Sequence, residues 1–194
     1  MSSLKAFHNS VKNAEYFRKK QGLFFSRNSL SKRDIHLAYE TVFLSCFVSF
    51  ERFLENQFIY FMCAKSHSVV KRRIEFKNQE IAREMLYHKH SYIDLVPYYK
   101  SLKVADLYFQ GGKPFRDLDI DLQKNIDHCQ VIRNAIAHKS KSSLSAFNDK
   151  ILTPYGLARN IKTPAEYLRS QFSLNETRFD NHISILLTAA IKLA

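Results

Sequence analysis

Glycine and proline are scarce in this chain, four of each among 194 residues, and tryptophan is absent. So few breakers exclude a many-turned sandwich or barrel, a collagenous repeat and a flexible low-complexity linker, and leave long helices as the natural reading. Cysteine is equally sparse. Cys46, Cys63 and Cys129 are odd in number and far apart, with none of the close CxxC pairing that a zinc site or redox motif requires, which points to a reducing compartment. Long hydrophobic runs are missing as well: the most apolar stretch, residues 41–50, is bounded by Glu40, Glu51, Arg52 and Glu55. No window therefore reaches the roughly 18 to 20 apolar residues of a membrane-spanning helix. The opening residues Met1, Ser2, Ser3, Leu4 and Lys5 lack the apolar core of a signal peptide, and a cytoplasmic location is expected. There is no Walker A loop, GxGxxG, GxSxG elbow or HExxH, which argues against nucleotide hydrolases, dinucleotide enzymes, elbow-type hydrolases and zincins. His88 and His90 flank Lys89 without a third ligand at recognisable spacing, so neither a metal nor a cofactor is expected.

What the chain has in excess is positive charge. Thirty Lys plus Arg against eighteen Asp plus Glu leave a formal charge of +12, which suits a polyanionic partner. Sixteen Phe and ten Tyr supply core material without disulfide or metal staples, and the length is that of one domain.

The periodicity predicts an all-α chain. Leu4, Phe7, Val11, Ala14 and Phe17 paint one stripe of a helix near residues 3–20. Gly22 and the polar run 26–31 break it. Ser31 with Asp34 three residues on starts a long helix to about residue 64, whose apolar side chains cover more than one face, as in the central member of a bundle. A third helix is expected over about 78–89, carrying Ile81, Met85 and Leu86. Pro97, Gly111, Gly112 and Pro114 mark a less regular region with a turn at 111–114. Leu122, Ile126, Cys129, Ile132 and Ile136 predict a core helix over 119–138, and residues 139–162 read as a loop or irregular excursion. Thr163, Pro164 and Glu166 form a helix start, and a last helix over about 175–193 carries Phe179, Ile183, Leu186, Leu187 and Ala190 on one face.

The chemically distinctive stretch ends the 119–138 helix. Val131-Ile132-Arg133-Asn134-Ala135-Ile136-Ala137-His138-Lys139 places a permanent cation and a titratable imidazole within six residues, among small or apolar neighbours. At about 100° per residue, Arg133 and His138 diverge by roughly 140°, so the arginine must reach around or the helix must end. Asn134 and His138, four apart, share a face, so the amide can accept from or donate to the ring and fix its tautomer. Arginine suits phosphate because its planar fork makes two charge-assisted hydrogen bonds. The competing reading is a solvated helix end, where cations complement the dipole.

The run RNAIAH resembles the Arg, polar residue, three more, His motif of the HEPN superfamily, helical bundles that include metal-independent ribonucleases. Its context adds to the resemblance: the aromatic-rich stretch HLAYETVFLSCFVSFERFLENQFIYFM upstream, the motif at the end of a later helix, and TPAEYLR before a C-terminal helix. The branch most similar is RiboL-PSP-HEPN. The resemblance covers roughly residues 35–194 and implies a bundle of about five to seven helices, with residues 1–34 as an added N-terminal helix and connecting loop. It further implies an RNA-cleaving homodimer in which two motif copies share one cleft, often within toxin-antitoxin, abortive-infection or other antiviral defence systems, with an antitoxin or defence protein as partner. Arg133, Asn134 and His138 match the motif. HEPN toxins paired with small nucleotidyltransferase antitoxins carry a Tyr two positions after the His, where this chain has Ser140, so regulation through that tyrosine is not implied.

In such a site the ribose 2′-hydroxyl attacks the adjacent phosphorus. His138 acts as general base, or as acid toward the leaving 5′-oxygen. Arg133 holds the phosphate and stabilises the extra transition-state charge. Lys139 and Lys141 follow directly as contacts for flanking phosphates. Further basic clusters, 18–20 and 71–73, and the aromatics Tyr98, Tyr99, Tyr108 and Phe109 are weaker candidates for RNA, since solvated faces and the core account for most such residues. The alternative function is a non-catalytic helical module that binds nucleic acid or a partner protein.

Overall fold

A computed structural model describes residues 3–63, 70–87 and 93–194. It is 76% helical, which makes the chain all-α. The described α-helices are α1 (Ser3–Ser26), α2 (Lys32–Cys63), α3 (Gln79–Tyr87), α4 (Tyr98–Tyr108), α5 (Ile120–His138), α6 (Lys141–Phe147), α7 (Pro164–Arg169) and α8 (Arg178–Leu193). Strands β1 (Gln171–Ser173) and β2 (Glu176–Thr177) form a small antiparallel hairpin between α7 and α8.

Helix α2 is the axis. It is capped as the Ser31 and Asp34 spacing predicts: the Ser31 hydroxyl accepts from the Asp34 amide at 3.2 Å, and the Asp34 carboxylate accepts from the Ser31 amide at 3.0 Å. It buries Phe43, Phe47, Phe50, Phe53, Phe58 and Phe61 on several faces and packs against α1, α3, α5, α7 and α8. At its far end the Phe58 ring stacks on Phe115 with centroids 3.8 Å apart, and Phe109 packs beside both. Single truncations here remove dense ring contact, of the kind that costs about 3–5 kcal/mol.

The N-terminal helix is longer than its stripe suggests. It runs through Gly22 to Ser26, and its buried side chains are Phe7, Val11 and Arg18, with Phe17 largely exposed. Phe7 packs against Phe50 and Phe53, so α1 shares the core of α2. Arg18, one of the basic clusters of the sequence, is an anchor. Its guanidinium donates to Asp180 at 2.5 Å and to the Tyr39 hydroxyl at 3.0 Å, and lies 4.7 Å from the Phe179 ring centroid. Asp180 also caps α8 by accepting from the Thr177 amide and hydroxyl. Asp180→Ala therefore strands a buried cation and removes a cap together. We expect a loss of about 3–5 kcal/mol from the broken pair and about 1 more from the cap, read as a shift in urea midpoint. Arg18→Met, which removes the buried charge, keeps an apolar stem and leaves the more exposed Asp180 with its Thr177 bonds, should cost less; equal losses would show that a stranded buried cation is not the source of the cost.

Two helices appear where the sequence reads as irregular. In α4 the residues turned inward are Tyr98, Ser101, Ala105 and Tyr108, a 3-4-3 spacing hidden by the polar serine, whose hydroxyl is satisfied by the Leu95 carbonyl. The 139–162 stretch holds α6, capped by reciprocal bonds between Ser140 and Ser143, and then a π-helical turn over Asn148–Leu152. Phe147, Ile151 and Leu152 are buried, which fastens the excursion to the core. In α3 the buried side chains are Ala82 and Leu86, while Ile81 and Met85 are about half exposed, so the inward face is turned from the expected one. His88 and His90 lie outside the described residues.

Candidate functional site

Helix α5 positions the motif. Asp119 caps it by accepting from the Leu122 amide at 2.8 Å, and Leu122, Ile126, Cys129, Ile132, Ala135 and Ile136 turn one face into the core. The helix ends at His138 because Lys139 takes left-handed backbone angles, φ 48° and ψ 23°, and Ser140 then caps α6. Helix end and motif end coincide, and His138 is exposed.

Arg133 and Asn134 are half-buried, one helical turn earlier. The Arg133 Nη1 donates to the Asn134 Oδ1 at 3.0 Å, while its Nε is buried without a partner. Burial pushes the Glu51 carboxyl of α2 up from the usual range, and the Arg133 charge partly offsets this. Arg133 thus lies within electrostatic reach of α2. Among the described residues no hydrogen bond joins Asn134 to His138, so the expected amide-to-imidazole contact is replaced by the Arg133 to Asn134 bond. The guanidinium is the stronger donor, and it lies beside the amide on the same helix.

Lys139 bends back to α2. Its ammonium pairs with Glu40 at 3.1 Å. The two residues are 99 apart in sequence, and their contact closes one wall of a cleft lined by Lys32, Arg33, His36, Leu37, Glu40, Lys139 and Glu166, with a volume of about 540 Å³. Glu166, the third residue of α7, pairs with Lys32 at 3.3 Å and accepts from the Lys162 amide at 3.0 Å. Thr163 caps α7 as predicted, accepting from the Glu166 amide at 3.2 Å. His36, Lys32 and Arg33 are residues the sequence reading missed. Their one signal was the His36 to Glu40 spacing, which puts both on one helix face. Lys141 is exposed at the start of α6.

No family model matches this chain, and no curated protein or solved structure matches it.

A second imidazole lies deep behind the motif. His182 of α8 faces Tyr167 Oη at 3.1 Å and Cys129 Sγ at 3.5 Å, and burial pushes its pKa down to about 3. It is 4% exposed, and burial also pushes the Cys129 thiol up, so both are neutral and closed to substrate. The remaining candidates separate by exposure. Tyr98, Tyr108 and Phe109 are core, and Tyr99 alone of the four is exposed, with Lys103 over its ring at 5.2 Å. Arg72 is half-buried beside Glu75, and its backbone bridges to Phe109. Among the described residues no three His, Cys, Asp or Glu side chains gather as metal ligands, and no helix is long and apolar enough to cross a membrane.

Proposed function

We propose that the chain is a HEPN-type endoribonuclease that cleaves RNA without a metal, as a homodimer. The reading is carried by one observation: an exposed His138 at the terminus of α5, one turn beyond a half-buried Arg133 and beside a cleft rich in cations. A 2′-hydroxyl gives its proton to a base, the 2′-oxygen attacks phosphorus, and the 5′-oxygen leaves with a proton from an acid. The products are a 2′,3′-cyclic phosphate and a 5′-hydroxyl. His138 supplies the proton transfers, and Arg133 stabilises the charge that gathers on the phosphoryl oxygens. Lys139 and Lys141 hold flanking phosphates. Asn134 positions the Arg133 fork. A toxin or antiviral effector role, with an antitoxin or defence protein as partner and a cytoplasmic setting, follows from the HEPN resemblance.

The direct test is a labelled single-stranded RNA in excess EDTA, with the ends of the products identified. Cleavage leaving 2′,3′-cyclic phosphate is the expected result. Loss of all cleavage in EDTA with recovery by a divalent cation would replace this chemistry by metal catalysis. Binding gives a second check. The affinity for single-stranded RNA should fall linearly in log salt, with a slope near 0.7 per neutralised phosphate, and Lys139→Ala should lower that slope by about one such contact. A flat response beside tight association with a protein would favour the non-catalytic module.

A further inference from the structure

The cleft beside the motif end has properties that the helix-end motif does not explain. Its walls come from two helices and a turn: Lys32, Arg33, His36, Leu37 and Glu40 from α2, Glu166 from α7, and Lys139 from the turn after α5. Its volume, about 540 Å³, is within the range of ligand-holding clefts. Each of its two carboxylates is already engaged, Glu40 by Lys139 and Glu166 by Lys32 and the Lys162 amide. That pairing fixes the two lysines and leaves Arg33 in a different state. Arg33 is exposed and forms no ion pair among the described residues, so its five-donor fork is free. Arg169 stands behind, its guanidinium over the Phe25 ring at 4.8 Å and close enough to His36 to affect its charge.

His36 is the second unusual group. Its Nε2 is buried and has no hydrogen-bond partner. A buried polar atom without a partner costs stability, and in native proteins such an atom calls for an explanation. Burial and the positive charges of Arg169 and Lys32 hold the ring below its ordinary range, against the raising effect of Glu166 and Glu40. A neutral ring in its Nε2–H form is a donor in need of an acceptor.

We propose that this cleft is a phosphate subsite for single-stranded RNA, in which Arg33 grips the non-bridging oxygens and the His36 Nε2–H donates to the same group. The inference rests on the ribonuclease reading of His138, and it names where the strand beyond the cleaved bond is held. Arginine supplies the bidentate geometry that a phosphodiester fits. Lys139 links the two places directly, since it follows His138 in the chain and lines the cleft through its pair with Glu40. Leu37, 60% exposed on the rim, gives the adjoining ribose an apolar surface.

The test uses a fluorescein-labelled single-stranded 2′-O-methyl oligonucleotide, which cannot be cut by 2′-hydroxyl attack, with anisotropy as the readout. Arg33→Ala should weaken binding about tenfold and lower the log-salt slope by about 0.7. His36→Gln should weaken it less, and Lys77→Ala, an exposed lysine elsewhere, should match wild type. In wild type the His36 ring signal, followed by NMR, should titrate at higher pH when the oligonucleotide is bound. Wild-type affinity and slope in both Arg33→Ala and His36→Gln overturn the subsite even if RNA is cleaved. Lost binding in these variants with no RNA cleavage by wild type keeps the subsite and sinks the ribonuclease reading. An identical His36 shift with inorganic phosphate alone, with no oligonucleotide affinity dependent on Arg33, makes the cleft a free-phosphate site and overturns the RNA occupant.

Discussion

His138→Ala should reduce RNA cleavage by about 10² to 10⁴, the usual contribution of a positioned acid or base. Arg133→Lys should reduce it by about 10² or more, since an ammonium cannot reproduce a planar fork aimed at developing charge. The two variants are chosen for what they leave intact. His138 is exposed at a helix terminus and makes no hydrogen bond among the described residues, so its removal should change stability by no more than about 0.5 kcal/mol. Arg133 is different: it donates to Asn134 and its charge offsets the cost of burying Glu51. Alanine there would leave an amide oxygen and a half-buried carboxyl without their cation, and lost activity would be confused with lost structure. Lysine keeps the charge and removes the fork. Thermal melts should place both variants close to wild type while product formation in EDTA collapses. Undiminished cleavage by both would assign the activity to a contaminant and remove the motif from the chemistry.

The motif itself was legible in the sequence because it is local. Arg133, Asn134 and His138 lie on one helix, its apolar face is regular, and its cap at Asp119 and end at Lys139 fall where the pattern stops. The same holds for the caps at Ser31 and Thr163, each a short-range bond between neighbours. The cleft was not legible. Glu40 and Lys139, or Lys32 and Glu166, meet only after α2, α5 and α7 have packed, and Lys32, on a different helix from the motif, reads in the sequence as one more solvated charge. Arg18 shows the reverse error. Followed by Lys19 and Lys20 it reads as part of a basic cluster, yet the aromatic pair Tyr39 and Phe179 and the carboxylate of Asp180 draw it inside. In α4 the helical period is carried by serine, alanine and tyrosine, whose polar or small side chains mask an inward face until the partner carbonyls and aromatic rings are in place, and α6 buries only Phe147, too little for a period to show.

A mixed dimer of wild type with the Arg133→Lys, His138→Ala double variant should lose about 10²-fold or more of the wild-type rate, well beyond half. The reason is geometric. Within one chain Arg133 is half-buried within electrostatic reach of Glu51, and His138 is exposed at the helix end, on directions that diverge by roughly 140°. Cleavage of one phosphodiester needs a base, an acid and a cation around the same phosphorus. Among the described residues one chain supplies a single exposed imidazole at the motif, because His182 is buried and neutral, His128 lies half-buried nearly three turns back along α5, and His36 is assigned to phosphate contact in the adjoining cleft. Two chains related by a twofold axis bring two copies of each group to one isologous interface, where one His138 takes the 2′-proton while the other protonates the leaving oxygen. In the mixed dimer one of those roles is vacant. The species is isolated with two affinity tags and assayed at concentrations where subunits do not exchange. Retention of half the rate would mean that each subunit works alone, and full activity in a monomer would dispose of the shared cleft.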